Sequence, residues 1–225
     1  MSTLREHKLS GWNPDISLRG REHIDQALKA GRGAVLWICP CSHAELVVKK
    51  ALHKASIPLV NLRSHIHPYS GTRFGKRFLN PIRTSVEDRY LHATVVLRPK
   101  REAVAFRELQ MWLRKNMVVS IFAIASSDRP FEAPCLSGLL RLALGAPTLA
   151  ILSGAALLPA PAFPTPSGGF EVTIEAPLQR SAGQDVGPAE QELGRAYARI
   201  TESWVKKCPY IWRGWFSRAL WKPSS

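Results

Sequence analysis

Residues 31–52, GRGAVLWICPCSHAELVVKKAL, decide the fold. Within them, residues 34–39 (AVLWIC) are a short apolar run rich in strand formers and read as a buried strand. Pro40 has no N–H to continue a ladder, so the strand is predicted to stop there. Ser42, His43, Ala44 and Glu45 fit a capping box. In that box the Ser42 side chain accepts from the backbone N–H three residues on, and Glu45 reaches back to the N–H of Ser42. Residues 46–52 continue as a helix with one apolar side. The stretch is a strand, a tight turn and a helix start. In open α/β sheets, ligands bind in the crevice at the carboxyl ends of the strands. The pattern sets a His and a Glu at that point.

Outward from this unit, residues 19–30 carry Ile24, Ala27 and Leu28 at helical spacing, with Gly31 suited to close the helix. Residues 57–62 (IPLVNL) predict a second strand, which makes helix 42–54 a crossover between parallel strands. Residues 63–83, RSHIHPYSGTRFGKRFLNPIR, read as a loop broken by Pro68, Gly71, Gly75 and Pro81. It holds His65, His67, Ser70, Arg73 and Arg77. Residues 89–97 carry a third strand and 101–116 the clearest helix, with Asn116 as its cap. Residues 117–125 (MVVSIFAIA) are apolar throughout, as central parallel strands are. Residues 126–134, with Asp128, read as a loop at that strand's carboxyl end. A helix over 147–153, strands in 156–162 and 169–177, and a last helix over 189–207 follow. The expected architecture is α/β, a mostly parallel central sheet flanked by helices. Residues 1–18 are an irregular lead-in and 19–225 a single domain.

The chain of 225 residues has a net charge of +14 and a pI near 10.2, and the excess is localised. Residues 61–101 hold nine Lys and Arg against Glu87 and Asp88, and 204–225 hold five with no acid. A basic surface suits an anionic lipid surface, an acidic carrier protein or nucleic acid. No nucleic-acid-binding signature accompanies the charge, which disfavours the last. The four cysteines show neither zinc nor C-x-x-C spacing, so no metal site is expected and the simplest reading is a cytoplasmic protein with reduced thiols. The N-terminal segment lacks the apolar core of a signal peptide, and no uncharged apolar run reaches ~18 residues. Membrane contact is then expected to be peripheral. Of the tail's tryptophans, Trp204 and Trp212 are expected to pack inward, and Trp215 and Trp221 to face a membrane surface beside Arg and Lys.

The order of these blocks resembles the bacterial lipid A late acyltransferases (lauroyl and myristoyl transferases) and the wider lysophospholipid acyltransferase-like superfamily, over roughly residues 19–221. The resemblance is carried by residues 31–46, by 72–75 with Arg73, by 117–138, by 142–159 (LALGAPTLAILSGAALLP) and by 209–215 (PYIWRGW). It implies a glycerolipid acyltransferase-like fold and transfer of a fatty acyl chain from an acyl-CoA or acyl-carrier-protein thioester to a hydroxyl of a lipid or glycolipid. It implies no resident cofactor, and an enzyme peripheral at the inner membrane face. The family's chemistry rests on His-x4-Asp/Glu, the His removing the hydroxyl proton and the acid orienting it. Here the acid falls on Glu45, while the His position is occupied by Pro40. His43 and His67 are the candidates to act as base with Glu45. Arg73, Arg77, Ser70 and Asp128 are the candidates for substrate binding, the arginines through charge-assisted bonds to phosphate. The alternative is a catalytically inactive lipid- or acyl-binding protein on the same fold.

Overall fold

Every residue of AVLWI after Gly33 is buried, and the run forms the strand on which the central sheet is built. The computed structural model describes residues 12–64, 72–74, 77–78, 80–124 and 130–224. The elements in chain order are β1 (Ile16–Arg19), α1 (Arg21–Lys29), β2 (Ala34–Ile38), α2 (Ala44–Lys54), β3 (Leu59–Ser64), α3 (Asn80–Asp88), β4 (Ala93–Leu97) and α4 (Glu102–Arg114). There follow β5 (Val118–Phe122), β6 (Phe131–Cys135), β7 (Gly138–Leu142), α5 (Gly145–Ser153), β8 (Ala156–Ala160), β9 (Ala162–Pro164), β10 (Phe170–Thr173), α6 (Val186–Lys207) and β11 (Trp221–Pro223). Two 3₁₀ turns, Pro209–Ile211 and Arg213–Phe216, lie between α6 and β11.

The central sheet has five strands in the order β4-β3-β5-β2-β8, parallel at each of its four pairings. The expected α/β class, with a parallel sheet flanked by helices, is what the chain adopts. The three strands predicted as neighbours are β2, β3 and β5. The chain leaves β2 through α2 and reaches β3 with β5 seated between them. Continuous apolar runs suit such a sheet because both of its faces are covered. Two small sheets complete the fold: β1-β10-β9, and the antiparallel β11-β7-β6.

The turn into β2 is set by one residue from elsewhere in the chain. Asn116 adopts φ +59° just past α4, and its side chain accepts from the N–H of Gly33 at 2.9 Å and donates to the carbonyl of Leu28 at 2.9 Å. Gly33 has φ +68°, and a Cβ there would stand 2.5 Å from the Met117 carbonyl oxygen.

Several expectations are corrected. Residues 16–18 are not lead-in: β1 pairs in parallel with β10. The expected 126–134 loop contains the start of β6, and the segment after it is β7, the two forming an antiparallel pair. The end of the expected 63–83 loop is the start of α3. The Ser42 capping box does not form. The helix starts at Ala44 with His43 as its N-cap, in the left-handed region at φ +66° and without a side-chain cap bond. The backbone N–H of Ser42 donates to the carbonyl of Ile211 at 2.7 Å, so the tail draws that residue away from a cap position. Trp221 is also a packing residue, in β11, donating from its indole to the Cys135 carbonyl at 3.0 Å. Among the described residues no helix is long and apolar enough to cross a membrane.

Candidate functional site

The carboxyl ends of β3, β4 and β5 open into a cavity of about 550 Å³ closed by α4 and the start of α5. Its walls are mostly apolar, with Leu97, Ala105, Phe106, Leu109, Ile121 and Ala146 among them. Charge enters through Glu45, Arg63, Glu102 and Arg213. An apolar slot with a few polar groups is the usual form of a small-molecule site.

Glu45 reaches the cavity from the first turn of α2. Its Oε1 lies 3.2 Å from Nζ of Lys49, one helical turn on, and the same Nζ lies 2.7 Å from Oε2 of Glu87 in α3. The side chains of Lys49 and Glu87 are 0% and 1% exposed, against 16% for Glu45, so the carboxylate nearest the cavity ends a buried row of three charges. Arg63 is held at 3.0 Å by Asp88. Arg213 comes from the tail, its guanidinium 5.8 Å from the Phe122 ring centroid.

The turn between β2 and α2 is clamped by that tail. The Cys41 N–H donates to the Cys39 carbonyl at 2.7 Å, a three-residue turn around Pro40. Arg213 N–H donates to the Pro40 carbonyl at 3.2 Å, and Cys41 forms an isolated bridge with Trp212. The clamp therefore carries Arg213 to the cavity. The Cys39 and Cys41 sulfurs are 2.8 Å apart and both residues are buried. Burial pushes the Cys39 thiol well up, and pushes Cys135 up to about 12, so both stay protonated at neutral pH and are poor nucleophiles.

The predicted site residues separate. Glu45 lines the cavity, whereas the His43 ring packs 6.1 Å from Trp12 and 5.7 Å from Phe170, on the side of α2 that meets the β1-β10-β9 sheet. Partial burial there lowers the His43 pKa below its ordinary value. Arg73 and Arg77 are exposed, Arg77 lying 5.8 Å from the Phe78 ring centroid. His65, His67, Ser70 and Asp128 lie outside the described residues. Lys49, Glu87, Arg63, Glu102 and Arg213 were not anticipated. Only Arg213 had a signal, its place in PYIWRGW beside the aromatics.

No protein-family model matches the chain, and no match is found among curated proteins.

Proposed function

We propose that the protein takes the fatty acyl chain of a thioester into the cavity and transfers it to a hydroxyl of a lipid or glycolipid, on a glycerolipid acyltransferase-like fold. The observation that carries this reading is the apolar cavity of about 550 Å³ at the strand ends with Glu45 at its edge. Apolar walls reward a hydrocarbon chain at about 25 cal/mol per Å² buried. Arg213 and Arg63 offer bidentate donors to the phosphates of coenzyme A or a carrier's prosthetic arm. In the transfer, the acceptor oxygen attacks the thioester carbonyl, the C–S bond breaks, and the hydroxyl proton passes by way of the Glu45 carboxylate to the leaving thiolate. Lys49 holds that carboxylate in place from below.

A second reading, chain binding without turnover, is favoured by Pro40 standing at the family's His position and by His43 packing against Trp12 and Phe170. One experiment separates them: a long-chain acyl-CoA and a lipid bearing a free hydroxyl are incubated with the protein, and chain binding and thiol release are followed together. Transfer predicts both, with Glu45→Gln lowering thiol release by about 10²–10⁴-fold and sparing binding. Binding without release leaves the second reading. Ala105→Trp, which fills the cavity, is expected to abolish binding, and unchanged binding in that variant would refute both.

A further inference from the structure

The segment after α6 carries an exposed aromatic cluster that the acyl-chain reading does not use. Phe216 is 89% exposed, Tyr210 73% and Trp215 44%, all within the two 3₁₀ turns. Exposed large aromatics gathered in one short segment mark a contact surface rather than a scattered surface residue. The segment is firmly built. Trp212 is buried, and its ring lies 4.9 Å from Trp215 and 5.9 Å from Trp221, with Trp215 and Trp221 5.6 Å apart. The Trp215 indole donates to the Pro209 carbonyl at 2.7 Å and ties the two turns together. At Gly214 a Cβ would stand 2.4 Å from the Trp212 ring, so the chain crosses that indole at glycine. Phe216 and Tyr210 are therefore held outward on a rigid base.

The charge within the segment itself is of one sign. Residues 203–225 contain no Asp or Glu. Lys206 and Lys222 are neutralised by Glu202 and Glu132, at 2.6 and 3.0 Å, while Arg213 and Arg218 are exposed within the segment itself. Aromatic side chains flanked by cations are what the interfacial layer of an anionic bilayer accepts, the rings entering the headgroup boundary and the cations meeting lipid phosphate. A protein partner would also suit the aromatics, but the absence of acids within residues 203–225 and the two exposed arginines favour lipid.

We propose that the two 3₁₀ turns, through Tyr210, Trp215 and Phe216 with Arg213 and Arg218, form a docking surface for an anionic membrane. Because Arg213 also lines the cavity, docking brings the cavity edge to the lipid surface, so that a chain enters from the bilayer. The entry route rests on the acyl-chain reading, whereas the docking rests on the turns alone.

The test is co-sedimentation with phosphatidylcholine vesicles, with and without phosphatidylglycerol, using the full chain. The native protein is expected to bind only the vesicles containing phosphatidylglycerol and to leave them at about 1 M salt, where the screening length falls to about 3 Å. Tyr210→Ser with Phe216→Ser is expected to weaken binding about tenfold or more, since each ring loses apolar area removed from water. Both residues are exposed, so the variant should keep the native melting curve and also its acyl-CoA binding, which separates loss of docking from loss of the cavity. Native affinity of the double variant would overturn the proposal. So would failure of the native chain to bind anionic vesicles, equal binding to neutral ones, or a dimer in solution that the double variant abolishes. As a second readout, brominated acyl chains should quench the native fluorescence more than that of Trp215→Phe; equal quenching would remove Trp215 from the surface.

Discussion

Lys49 is the most costly residue of the fold. Its ammonium is fully buried in α2, and the carboxylates of Glu45 and Glu87 are what make it tolerable there. Lys49→Met is expected to destabilise the protein by about 3–5 kcal/mol in urea denaturation at neutral pH, because the buried Glu87 loses the ammonium 2.7 Å away. Lys49→Met with Glu87→Leu should recover much of that loss. A single-variant loss under about 1 kcal/mol would mean that water reaches Glu87. His43 gives a pH signature. Its folded pKa is lowered, by burial first, from an ordinary value of 6.5. Below that value, down to the folded pKa, the unfolded chain binds the proton and the folded chain does not. Stability from this group is thus complete above 6.5 and declines as pH falls through the window. His43→Gln should be less sensitive than the native protein to a shift from neutral to mildly acidic buffer, measured by denaturant midpoint. The site was half legible. Glu45 was legible because it follows the strand and turn and falls on the acidic position of the resemblance, and it lines the cavity. Lys49 could not, because a lysine four residues on reads as the solvated face of the helix, and its other partner comes from α3.

Among the elements, Asn116 joins three, tying the end of α1 and the start of β2 to the end of α4. Asn116→Ala removes two hydrogen bonds at about 1 kcal/mol each and places a Cβ-bearing residue of poorer left-handed tolerance at φ +59°. The expected loss is about 3 kcal/mol, or a melting point lower by roughly 6–12 °C in calorimetry for a chain of this size. A drop under about 2 °C would place the turn under other control. The parallel strands were legible because burial on both faces leaves continuous apolar runs. Several elements were not, among them β6, α3 and β1. In β6, Glu132 and Pro134 argue against a strand, but Glu132 is held by Arg141 at 3.3 Å and Lys222 at 3.0 Å, both on other strands of its sheet. β6 is also an edge strand, where proline is tolerated. In α3, Pro81 reads as a breaker in the sequence, yet it stands in the first turn, where its missing N–H costs nothing. β1 is four residues long, and its parallel partner β10 lies near the other end of the chain.

For the whole molecule, the tail holds the turn that follows β2. Cys39, Cys41, Cys135 and Cys208 are all buried and unbridged. An aromatic disulfide reagent should find them unreactive in the native protein and reactive in denaturant. Deleting residues 209–225 removes the bonds from Ser42 to Ile211 and from Arg213 to Pro40, and uncovers the side of the Cys-Pro-Cys turn that Trp212 occupies. With Cys135 and Cys208 replaced by Ser, the thiols of Cys39 and Cys41 are then expected to react rapidly under native conditions. If the truncated chain stays as unreactive as the full one, the clamp contributes no protection.

The same clamp sets an order of events during synthesis. As the chain leaves the ribosome, β2 emerges early, but both neighbours that complete its ladders, β5 and β8, follow much later. The residues that lock Pro40 and Ser42, Ile211 and Arg213, are made later than either of those neighbours. Contacts so far apart in sequence close slowly. Until they are made, an apolar strand ending in two thiols stands without its covers. Such an edge is aggregation-prone until residues 211–213 have emerged and closed over it.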